Sequence, residues 1–71
     1  MSFSREMVIR DPEWARSLAD YAVAVLEGRG FRTHRRNMRR YVLNVCRVLR
    51  RSGFGRLANR VELKAEEVGL L

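Results

Sequence analysis

Seventy-one residues, 46% of them hydrophobic, with 15 lysines and arginines against 8 acids and a formal charge of +7, describe one small basic domain able to bury a core. A single cysteine and a single histidine exclude an internal disulfide and the usual four-ligand zinc site, so stability must come from helix packing or self-association. The longest apolar run, Tyr21 to Leu26, falls far short of the roughly 20 residues of a membrane span, and the chain reads as soluble, cytoplasmic or nucleoid-associated.

Residues 1–10 hold Phe3, Met7, Val8 and Ile9 without a clear period and are expected to form an ordered arm or a short turn of helix that covers the core. Asp11 followed by Pro12 reads as an N-cap and first helical position, because the carboxylate accepts orphan amide protons and proline has none to leave unpaired. The helix predicted over 11–28 places Trp14, Leu18, Tyr21 and Val25 beside Ala15, Ala22 and Leu26 on one broad apolar face; Trp14 and Tyr21 could stack on bases, but this spacing assigns them to the core. Gly28 or Gly30 supplies the left-handed cap that ends it.

Thr33 is the expected cap of a second helix over 33–52, whose residues divide sharply around the helix axis. Met38, Tyr41, Val42, Val45, Cys46, Val48 and Leu49 fall on one side. Arg36, Arg39, Arg40, Arg47, Arg50 and Arg51 fall on the other, within an arc of about 120° with Leu43 at its middle. No acid occurs between Glu27 and Glu62, so Arg36 is left facing Arg40, and Arg47 facing Arg51, one turn apart. A merely solvated helix face mixes signs; stacked like charges repel, which points to an anionic partner.

Gly53 stops the second helix, and helical spacing resumes through Leu57, Val61, Ala65 and Val68 over 54–69, as one kinked helix or two short ones. Arg56 and Arg60 stand one turn apart at its start, able to extend the basic surface, while Glu66 and Glu67 mark an acidic far end. A helix-turn-helix centred on Gly53 fits poorly, since it would bury Asn59 and Glu62. The whole is an all-α domain over residues 1–71, a small bundle of three to four helices. Its valine-rich seams look wider than one copy can cover, which leads to the expectation of a homodimer.

Catalytic chemistry finds little support. His34 has no nucleophile at a recognisable spacing, and Cys46 reads as a small core hydrophobe. The stretches "GRGFR" and "SGFGR" lack the lysine and preceding strand of a phosphate-binding loop. No cofactor, metal or small-molecule substrate is inferred. The candidate binding residues are Arg32, Arg35, Arg36, Arg39, Arg40, Leu43, Arg47, Arg50, Arg51, Arg56 and Arg60, with Leu43 offering an apolar contact to a thymine methyl, a sugar or a partner's side chain. They suit a nucleic acid, above all duplex DNA; the alternative is an adaptor or inhibitor whose basic face meets an acidic protein. A peripheral membrane binder ranks third, with no membrane partner inferred, because the core claims the apolar face that lipid would need.

The order "LADYAVAVLEGRG", then "THRRNMRRYVLNVCRVLRRSG", then "LKAEEV" resembles the SAM-like helical core-binding domain of tyrosine recombinases, the phage-integrase type, over residues 14–68. That resemblance implies a DNA clamp that works beside a separate catalytic domain, for which 71 residues leave no room. The sequence departs from the family at Asn37, where an aromatic or apolar residue is common.

Overall fold

Two of the expected glycine signals, at Gly28 and Gly53, become helix ends in the computed structural model, which describes residues 7–71. The helices are α1 (Pro12–Leu26), α2 (Arg35–Arg51) and α3 (Gly55–Glu67), and no strand occurs among the described residues. Residues 1–6, and with them Phe3 of the expected arm, lie outside the described residues. The segment after Gly53 is one helix. None of the helices is long and apolar enough to cross a membrane, among the described residues.

Asp11 caps α1, its Oδ1 accepting the Glu13 amide at 3.0 Å, and Pro12 opens the helix. All three helices close in one way. A glycine with positive φ follows the C-cap, and the next residue's amide reaches back to the carbonyl five residues earlier: Arg29 to Ala24 at 2.8 Å, Phe54 to Leu49 at 2.8 Å, Leu70 to Ala65 at 2.8 Å. Gly28, Gly53 and Gly69 are these residues, so the left-handed cap of α1 falls to Gly28. Gly30 serves a different purpose: a side chain there would strike Val25 Cγ2 where the chain turns back over α1. At the start of α2 the expected cap differs. His34 holds the N-cap position without a side-chain bond, and Thr33 instead accepts from Asn37 at 3.3 Å, because the helix begins one residue later than a cap at Thr33 requires.

The core also departs from expectation on α1. Ala15, Ala19 and Ala22 are fully buried, with Val25 and Leu26, whereas Trp14 is 45% and Tyr21 47% exposed. The apolar face of α1 is broad enough to offer two halves; the small half turns inward because alanine lets neighbouring helices approach closely. Opposite it pack Val42, Val45, Cys46, Val48 and Leu49 of α2, and Ala58, Val61 and Ala65 of α3. These valines are buried within a single chain, so the α2 seam that suggested a homodimer is covered without one, while Trp14 and Tyr21 of the α1 face stay exposed. Val68 is exposed, and Leu70, brought back by the last turn, is buried in the core instead.

Both ends of the described chain fasten onto α2. Ile9 is buried, and its amide donates to Ser52 Oγ at 2.8 Å, while that hydroxyl donates to the Val48 carbonyl at 2.7 Å. At the opposite end of α2, the Arg35 guanidinium donates to the Gly69 carbonyl. Of the residues assigned to the arm, Ile9 joins the buried core and Met7 packs against it.

Candidate nucleic-acid interface

The amphipathic split of α2 places its valines and Leu49 inward and leaves Arg36, Arg39, Arg40, Arg47, Arg50 and Arg51 exposed. Ion pairing then sorts the arginines. Arg50 crosses to α3, where it donates to Glu62 and to Asn59 Oδ1 at 3.1 Å. Arg35 is held by the Gly69 carbonyl. Arg60 pairs with Asp20 of α1 at 2.6 Å, so it is tied on the α1 side and does not continue the arc of α2. Arg36, Arg39, Arg40, Arg47 and Arg51 have no acidic partner among the described residues, nor do Arg32 and Arg56.

Acids are correspondingly committed elsewhere. Glu27 takes Arg29 and, at 3.2 Å, Lys64; the hydrogen bond from Arg29 and then that from Lys64 hold its carboxyl below the usual range. The same contact, with Glu67 at 3.4 Å, raises the Lys64 ammonium. Glu27–Lys64 and Asp20–Arg60 strap α3 to α1, and Arg50–Glu62 straps α3 to α2. The available carboxylates neutralise the sides of the bundle and leave the outer face of α2 cationic.

From Arg36 to Arg51 this face runs about 22 Å at 1.5 Å per residue. Leu43, 39% exposed, stands at its middle as the sequence placed it. It forms a wall between two shallow depressions. One is lined by Arg36, Arg39, Arg40, Asn44 and Arg47; the other by Cys46, Arg47, Arg50, Glu62 and Leu71. The Cys46 thiol is buried and lies 3.6 Å from the Ala58 carbonyl, and its burial pushes the thiol pKa up, so it behaves as core.

Sequence reasoning missed a second feature beside the arc. Tyr21 stacks on Phe31 with ring centroids 6.2 Å apart, and Phe31 meets Tyr41 edge-on at 5.2 Å. Tyr21 and Phe31 are exposed and Tyr41 is half-buried, its phenol pKa pushed up to about 12 chiefly by burial. The signal that could have found them is the alanine spacing 15, 19, 22, which claims the inward side of α1 and displaces the aromatic residues at its margin.

No group of metal-ligating side chains occurs among the described residues. No protein-family model matches the chain, and no curated protein or solved structure matches it.

Proposed function

We propose that this chain is a nucleic-acid-binding module that grips duplex DNA by phosphate contacts from the outer face of α2. One observation carries the reading: five exposed arginines, Arg36, Arg39, Arg40, Arg47 and Arg51, share one helix face and lack acidic partners among the described residues, while Arg29, Arg50, Arg60 and Lys64 take up acids elsewhere. Guanidinium groups suit phosphate because their planar forks pair bidentately with its oxygens. An α-helix of about 10–12 Å diameter also fits the major groove, about 12 Å wide. The likeness to recombinase core-binding domains, which clamp duplex DNA, supports the same reading. Catalysis has no place in it.

Binding of a labelled blunt duplex at several salt concentrations tests this. Reversing Arg36, Arg40 and Arg47 to glutamate should abolish binding while the helical circular dichroism is retained. Undiminished affinity in that triple variant would remove the hypothesis.

A further inference from the structure

The Tyr21–Phe31–Tyr41 cluster needs an explanation that the phosphate-binding face does not give. Its rings belong to three separate segments, α1, the loop after it and α2, yet they are held against one another, so Phe31 is fixed in orientation while 40% of it remains exposed. A ring surface already ordered in the free protein loses little conformational freedom when something stacks on it.

Charge indicates what that is. Arg32 directly follows Phe31 in the chain. On α2, a step of about 100° leads from Tyr41 to Arg40, with Asn37 and Asn44 at intermediate angles. Both arginines are without acidic partners among the described residues. Around the helix the surface thus passes from aromatic, through amide, to cation. A second copy seated on these rings would bring Arg32 and Arg40 of each copy toward those of the other. A nucleic-acid strand is complementary in both respects: its phosphates are anionic, and its unpaired bases offer flat faces to the rings and polar edges to the amides. A cationic rail beside stacking rings is the arrangement by which single strands are held with little regard to sequence.

We propose that Phe31, with Tyr21 and Tyr41, is a stacking platform for an unpaired base of single-stranded DNA whose phosphates run along the Arg40 edge of α2. The inference rests on the nucleic-acid reading above and narrows its preferred ligand to DNA that carries a single-stranded segment. A duplex alone, its bases paired and stacked inside, would use the arginines and not the rings.

The test compares three fluorescently labelled probes at one salt concentration: a blunt duplex, a twelve-nucleotide thymidine strand, and a strand with the same phosphates and abasic sugars. The thymidine strand should bind about tenfold tighter than the abasic one. Phe31→Leu keeps apolar bulk but removes the ring; it should erase most of that difference and leave blunt-duplex affinity within about twofold, and Tyr21→Leu should act in the same direction. Equal binding of thymidine and abasic strands by the unaltered protein overturns the platform, whatever the variants do. So does an equal loss of blunt-duplex and thymidine affinity in Phe31→Leu, or a protein that sediments as a dimer and becomes a monomer in that variant. Failure of the blunt duplex to bind would remove the duplex reading instead, with the base dependence of the single strand still deciding the platform.

Discussion

Arg47 and Arg50 lie three residues apart on α2, about 60° apart around its axis, and replacing each with glutamine should have opposite consequences. Arg47 has no acidic partner among the described residues; Arg50 is committed to Glu62 and Asn59. If the five untied arginines each neutralise one phosphate, the logarithm of affinity should fall against the logarithm of salt with a slope of about −4.5, at about 0.9 per contact. Between 50 and 200 mM salt that is a loss of about 500-fold in affinity. Arg47→Gln should reduce the slope by about 0.9 and leave thermal stability unchanged. Arg50→Gln should leave the slope near its original value and lower stability instead. The Arg50–Glu62 side chains are 45% and 39% exposed, so solvent screening limits their pair to about 0.5 kcal/mol, or about 2–4 °C in Tm for a chain of this size. Fluorescence anisotropy across a salt series, paired with thermal melts, reads both quantities. Equal reductions of slope in the two variants would refute the division into tied and untied arginines.

Leu43→Ala should leave stability within about 0.5 kcal/mol, as surface substitutions do, while duplex affinity falls; a melt and a titration of the same variant decide it. Leu49, fully buried, gives the contrast: its replacement by alanine should cost about 2–5 kcal/mol in denaturant unfolding. The Tyr41 phenol, raised to about 12 by burial, stabilises the fold while protonated, so its contribution is present below pH 10 and lost as pH rises through about 12. In a Tyr21→Phe background, phenolate absorbance should therefore rise near pH 12, and a midpoint near 10 would contradict the burial. The Cys46 thiol should react slowly with a thiol reagent in the folded protein and rapidly once denaturant is added.

Where residue type and position agreed, the fold was legible in the sequence. Asp11–Pro12 marked the start of α1, Gly28 or Gly30 and then Gly53 marked ends, and α2 declared both its faces because no residue type was shared between them except at Leu43. The inward half of α1 was not legible, since hydropathy ranks tryptophan and tyrosine with the core while packing distance selects alanine. Nor could spacing distinguish Arg50 from Arg47. The partners of Arg50 lie nine and twelve residues away on another helix, and that pairing exists only once α2 and α3 are docked. The cluster of Tyr21, Phe31 and Tyr41 was hidden for the same reason, being assembled from three segments.

The alanine seam of α1 inverts the usual map of mutational tolerance. Ala15, Ala19 and Ala22 have no exposed surface, so each added methylene there meets a neighbouring helix and must either displace α1 or force a strained rotamer, costing about 1–3 kcal/mol. Trp14 and Tyr21, the bulkiest residues of the same helix, border solvent and can be exchanged without reopening the interior. In a library of random variants, the smallest side chains of α1 would therefore be the least replaceable and its largest the most varied. Selection acting on what this surface binds could rewrite the aromatic residues while the spacing of the bundle, set by three methyl groups, stayed as it is.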